Sequence, residues 1–174
     1  MALESAFIPQ ADQLWDVARV PEAIDRGRRT TEEIAAYIGM KVLRQGHYYT
    51  QAARILGLVA EGDPGDEPRL TTLGRGFARS NRAEQRTYLR RLLLQRDPTR
   101  AVVIALRAND GLDRAGIAHV LQELAPLADS TAHRRAATVA AWLTAVDLAA
   151  WVEGRLRYTG PNLPLAAMPP DQIA

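Results

Sequence analysis

Cysteine is absent from the 174 residues, which excludes a disulfide framework and a thiolate metal site. Lysine is nearly absent: of 22 basic residues, 21 are arginines and only Lys41 is a lysine. A nuclease centre of the carboxylate-plus-lysine kind needs a lysine beside two acids. Lys41 sits between Met40 and Val42, with no Glu-x-Lys or Asp-x-Lys pairing. The three histidines, His47, His119 and His133, stand apart, without the His-x-x-x-His or His-Glu spacing of a metal hydrolase. No Gly-x-Ser-x-Gly elbow is present. "GDPGDEP" is rich in glycine and acid but lacks the lysine and helix start of a phosphate loop, so it reads as a solvated loop tip. The sequence therefore points to no enzyme, no metal and no cofactor.

Long apolar runs are missing too. "AVVIAL", Ala101 to Leu106, is far shorter than the roughly 20 residues of a membrane span. The start "MALESAFIPQ" has no basic segment before its apolar residues, so a secretory signal is not expected and a cytoplasmic location is. Aromatic residues make up only 6% of the chain, yet 47% of residues are apolar, much of this alanine and leucine. That composition supports a packed core and favours helix over strand.

The net charge of +2 conceals an uneven distribution. Residues 69–107 carry 10 arginines against Glu84 and Asp97, a surplus of +8, whereas the flanking regions are acidic on balance. Such a block suits an anionic partner. A solvated arginine face in an arginine-preferring proteome would give the same count.

Periodicity and punctuation predict mostly helix. Residues 12–25 form a helix, or two broken at Pro21, that buries Leu14, Val17, Ala18 and Ile24. "TTEEIAAYIG" starts at a Thr30 or Thr31 cap with a capping-box glutamate, and Gly39 stops it. A helix over about Gln45 to Leu56 follows and ends at Gly57. Leu58-Val59, a turn-rich loop and "RLTTLG" then read as strand, loop and returning strand, a hairpin wing. Residues 72–95 return to helix in two pieces broken near Ser80-Asn81. The order then recurs: a helix in Arg100 to Gly111, an Asp113-capped helix to Leu124, and a Ser130-capped helix to about Val146. "LAAWVEGRLRYTG" follows as two strands with a tight Glu153-Gly154 turn.

The two halves overlay weakly in letters and better in pattern. Ile34-Ala35 matches Ile117-Ala118, "RILGLV" matches "TAVDLA", and "RLTTLG" matches "RLRYTG", at offsets of 83, 90 and 86 residues. Three helices with a two-stranded wing form the winged variant of helix-turn-helix. The predicted fold is mainly α, with two tandem winged-helix domains at 1–80 and 100–162. An arginine-rich helix at 81–99 connects them, and a proline-rich tail occupies 163–174.

Recognition remains as the available chemistry. A helix that enters the major groove needs hydrogen-bonding residues outward and apolar ones behind. In the helix at 45–56, Tyr49, Ala52, Ala53 and Leu56 fall at the spacing of a buried stripe. The other side then shows Arg44, Gln45, His47, Tyr48 and Gln51. Arg and Gln suit bidentate base contacts; Tyr48 or His47 would stack or bond a phosphate. In the second half, Val139, Trp142, Leu143 and Val146 form the stripe. Ser130, Thr131, Arg134, Arg135 and Thr138 form the outer side, suited to phosphate. Trp142 and Trp151 are expected in the core rather than stacked on a ligand. The wings and central arginines, Arg69, Arg75, Arg79, Arg82, Arg86, Arg155 and Arg157, are weaker candidates for phosphate contacts.

The run "TTEEIAAYIGM...RQGHYYTQAARILGLV...RLTTLGRGFARS" resembles the winged-helix module of prokaryotic restriction systems, the restriction endonuclease associated winged-helix family. The second half, "STAHRRAATVAAWL" then "VDLAAWV", is similar to that module's follow-on domain, and the resemblance spans roughly residues 12–160. It implies tandem winged helices, double-stranded DNA as partner, and a nuclease or ATPase domain or subunit supplied elsewhere. The chain is then expected to be a sequence-specific DNA-binding module. The alternatives are a transcriptional regulator and a protein-interaction adaptor in a multisubunit complex. No oligomeric state is assigned.

Overall fold

The computed structural model describes residues 2–62 and 65–162. The proline-rich tail expected at 163–174 and part of the "GDPGDEP" loop lie outside the described residues. The protein is mainly helical, with one small antiparallel hairpin near its C-terminal end. It divides into two compact units: Pro9–Tyr88, and a second unit holding the residues before Pro9 and those from Leu89 onward. The division falls inside a single helix, Arg82–Gln95, within the segment that the sequence assigns as a connector.

The Pro9–Tyr88 unit begins with two short helices, α1 (Leu14–Val17) and α2 (Arg19–Asp25). Leu14, Val17, Ala18 and Ile24 are all buried, as their spacing requires. Pro21 lies within the first turn of α2, where its missing N–H costs no helical bond. Helix α3 (Thr31–Ile38) opens on a full capping box. The Thr30 hydroxyl accepts from the Glu33 amide, and the Glu33 carboxylate accepts from the Thr30 amide. Gly39 closes α3 at φ 84, a left-handed conformation that glycine adopts without Cβ strain. Helix α4 (Leu43–Ile55) follows after the four residues 39–42 and packs against α3.

What comes next departs from the predicted wing. Val59 and Leu70 form one antiparallel bridge, and Ala60 donates to the Arg69 carbonyl at 2.8 Å. The strand expected over "RLTTLG" stops there, because Thr71 acts as a helix cap. Its hydroxyl accepts from the Gly74 amide at 2.9 Å, and Thr72–Ala78 forms helix α5. Gly74 allows α5 to lie directly on the chain at Leu58, since a Cβ at Gly74 would come 1.8 Å from the Leu58 carbonyl oxygen. Asn81 then caps α6 (Arg82–Gln95), its side chain accepting from the Ala83 and Glu84 amides at 3.0 Å.

The second unit holds α7 (Thr99–Ala108), α8 (Arg114–Leu124), α9 (Asp129–Ala145) and the hairpin β1 (Ala149–Val152) and β2 (Arg155–Tyr158). Asp113 caps α8 by accepting from the Gly116 amide. Helix α9 begins at Asp129, one residue before the predicted Ser130 cap, and no side chain caps it. The strands pair in the register Ala149–Tyr158 to Val152–Arg155. Glu153 and Gly154 both have positive φ, 51 and 77, as a two-residue hairpin turn requires. Leu112, between α7 and α8, adds a third pairing. It exchanges backbone hydrogen bonds with Leu156 of β2 at 3.0 and 2.7 Å. Trp142, Leu143, Val139 and Val146 are fully buried along α9. Trp151 departs from the core position expected of it and is 44% exposed, although its strand partner Leu156 is fully buried.

Candidate functional site

Helix α4 carries the first candidate face. Its inner side is the predicted one: Tyr49, Ala52, Ala53 and Leu56 are buried. The α3–α4 approach is close because Gly46 has no side chain. A Cβ there would lie 2.7 Å from the Ala35 Cβ and 3.1 Å from the Thr31 carbonyl oxygen. The Tyr49 ring is buried, and its hydroxyl donates to Asp12 at 3.2 Å. Burial, reinforced by the negative Asp12, pushes the Tyr49 hydroxyl up to about 12. Tyr49 is thereby a neutral anchor and not an acid or base at physiological pH.

The outer side of α4 presents Arg44, His47, Tyr48 and Gln51, at the i, i+3, i+4, i+7 spacing, whereas Gln45 lies four residues before the buried Tyr49 and is exposed at the head of the helix. Arg44, Gln45 and His47 are exposed, and Tyr48 and Gln51 are half-exposed. The structure therefore brings all five together on one helix. Arg44 is held along the helix by Tyr48, four residues on. Its Nε donates to the Tyr48 hydroxyl, and its guanidinium lies 5.4 Å from the ring centroid. This contact orders the arginine and keeps the tyrosine beside it. Gln45 and His47 are held by no contact of this kind among the described residues, and they stand in the first turn and a half of the helix.

The second candidate face, on α9, is less open. Ser130 and Arg134 are exposed, and Thr131 is half-exposed. Arg135 is half-buried and donates to the Ile8 carbonyl at 2.9 Å, fastening the N-terminal segment to its own unit. Thr138 was expected outward, but it is only 6% exposed, and its hydroxyl turns back on the Arg134 carbonyl. It sits one position before Val139, and α9 is covered on more than one side, so its buried arc is wider than the four-residue stripe implies.

The arginines expected to meet phosphate mostly have partners within their own unit. Arg79 grips Asp25 with two nitrogens at 3.0 to 3.3 Å, and this contact holds the Asp25 carboxyl below the usual carboxylate range. Arg82 stacks on Trp15, 3.2 Å from the ring centroid, with Arg86 at 5.9 Å. Burial lowers the Arg82 guanidinium below its ordinary value. Arg69 and Arg75 are exposed. On the hairpin, Arg155 donates to the Asn109 and Gly111 carbonyls, and Arg157 lies 3.8 Å from Asp110. These two arginines brace β2 against the α7–α8 turn.

Two apolar residues at the head of α4 were not singled out in the sequence. Val42 is 55% exposed and Leu43 is 44% exposed. Helical spacing alone would bury them, Val42 seven residues before Tyr49 and Leu43 seven before Thr50, but they stand at the start of the helix. Among the described residues no three His, Asp or Glu side chains group as a metal site. No helix there is long and apolar enough to cross a membrane.

The site is thus an exposed polar face on α4, within a mainly helical protein that carries one small hairpin among the described residues. Residues 17–148 match the family model of a domain of unknown function, DUF7226, and the chain belongs to that family. The match runs from the end of α1 to the residue before β1, so it takes in the helices α2 to α9. No curated protein and no solved structure matches the chain.

Proposed function

We propose that the protein binds duplex DNA through the outer face of α4. The observation that carries this reading is the stripe of Arg44, His47, Tyr48 and Gln51 on the exposed side of a helix whose other side is locked into the core, with Gln45 exposed in its first turn. Arg and Gln offer the donor and acceptor pairs that read guanine and adenine edges in the major groove. Each half is read as a winged helix. Helices α2, α3 and α4 with the Val59–Leu70 bridge support this for the first half. The order α7, Leu112 pairing, α8, α9, β1, β2 supports it for the second. The α4 face leads, and Arg134 with Ser130 on α9 is secondary. The free arginines Arg69 and Arg75 add phosphate contacts. Arg79, Arg82 and Arg86 do so only by leaving Asp25 and Trp15. In a restriction-type assembly, the role that the sequence resemblance suggests, cleavage would come from a nuclease or ATPase domain or subunit.

Fluorescence anisotropy with random and selected duplexes at low salt tests the reading. Binding at micromolar or tighter affinity that weakens steeply with salt is expected, because phosphate contacts release counterions. The absence of any binding in that range would sink it. The exposure of Trp151 and Val152 on the hairpin favours a second reading, a protein-interaction adaptor. That reading gains if Trp151→Ser abolishes capture of a partner subunit while duplexes remain unbound.

A further inference from the structure

Val42 and Leu43 stand out as a double departure from local rules at one point. Each exposes a large apolar side chain, 55% and 44%; Ile104, Trp151 and Val152 are the other large apolar residues so exposed among the described residues. Val42 also occupies the N-cap of α4 and makes no side-chain cap bond. Helices α3, α5, α6 and α8 are capped by Thr30, Thr71, Asn81 and Asp113, whereas α1, α2, α7 and α9 share with α4 the lack of a side-chain cap. A polar cap would contribute about 1 kcal/mol at Val42. The helix that carries the recognition face thus forgoes both a cap and burial at its leading edge. Uncompensated departures of this kind concentrate where function demands them.

The surroundings indicate what these side chains meet. Val42 and Leu43 are flanked in sequence by Lys41 and Arg44, both exposed, with Gln45 next. An apolar protein surface would have to desolvate those two cations, whereas a polyanion complements them. The apolar feature that duplex DNA offers in its major groove is the thymine C5-methyl, and aliphatic side chains read it by contact. We propose that Val42 and Leu43 are specificity-determining residues that select thymine in the bound site, beside Gln45, whose amide suits the adenine edge. This inference rests on the DNA-binding reading above.

Duplexes retained by the full chain from a random pool are resynthesised with each thymine replaced in turn by deoxyuridine, which removes only the methyl group. Affinities are then measured by anisotropy for the wild type and for Val42→Ala and Leu43→Ala, whose folding is checked by circular dichroism. Loss of a buried methyl contact should weaken wild-type binding about fourfold at one or two thymine positions. The variants should bind the thymine and uracil duplexes alike. If every uracil duplex binds the wild type as tightly as its parent, or if the variants keep the full thymine preference, the inference is overturned while DNA binding stands. If the pool yields no retained duplex at low salt, both fall.

Discussion

Gly46 of α4 lies against Ala35 of α3 so closely that a Cβ at Gly46 would be 2.7 Å from the Ala35 Cβ. This crease sets the distance between α3 and α4, and so the elevation of the polar face above the core. Gly46→Ala pits a helix-propensity gain of about 1 kcal/mol against overpacking of about 1–3 kcal/mol. The Thr31 carbonyl at 3.1 Å limits the room for relief. A net loss of roughly 1–2 kcal/mol is expected in urea unfolding. An unchanged midpoint would show that α3 and α4 can part freely.

Tyr49 and its neighbour Tyr48 should separate cleanly in mutation. Tyr49→Ala empties a buried ring site and is expected to cost about 3–5 kcal/mol. Tyr48→Phe leaves stability nearly unchanged but frees Arg44, and it should weaken duplex binding. Chemical denaturation and anisotropy on the same two variants check this together.

Arg44→Ala and Gln45→Ala each remove an exposed side chain from α4. Each should weaken binding to a selected duplex about tenfold, within the range of one lost base contact, and leave thermal unfolding unaltered. Arg135→Ala is the contrast. It releases the Ile8 carbonyl, so it should lower stability and leave duplex affinity nearly intact. The opposite ranking would move the site from α4 to α9.

Val42→Ser offers α4 the cap that it lacks. It is expected to raise stability by about 1 kcal/mol while reducing the preference for thymine over uracil. Calorimetry and the duplex series measure the two effects independently.

The pH profile follows from the direction of three shifts. Asp25 is held low by Arg79, and Glu33 by the amides of Arg29 and Thr30. Their contribution is fully present above the ordinary carboxylate range and is lost as the pH falls through their lowered values. Asp25→Asn should therefore flatten the acid side of the stability curve. Tyr49 is raised, so its contribution holds below pH 10 and is lost as the pH climbs through about 12. Ultraviolet titration of the native protein should show one tyrosine ionising only near that upper limit, and Tyr49→Phe should remove it.

Much of this architecture could be read from local signals. The capping box at Thr30 and Glu33, the Gly39 stop, the Asp113 cap and the Glu153-Gly154 turn are each specified within about four residues, by side chains that bond their own backbone or by a tolerated positive φ. The assignment of Tyr49 inward and Tyr48 outward follows from the 3.6-residue period alone. "RLTTLG" misled because Thr and Leu also suit a strand. Its helical end depends on the Thr71 cap and on Gly74 resting against Leu58, 16 residues earlier in the chain.

The sequence by itself determined where the capped helices α3 and α8 begin, where Gly39 ends α3, and that Tyr49 of α4 faces inward, because these depend on neighbours three or four residues apart. Only the tertiary structure decided which polar residues were spent internally. Arg135 meets the carbonyl of Ile8, 127 positions away, Arg79 meets Asp25, 54 away, and Arg82 meets Trp15. Such pairings arise when the chain folds back and a long side chain finds an acceptor or ring. A count of arginines along the sequence cannot distinguish those turned inward from those left for a partner.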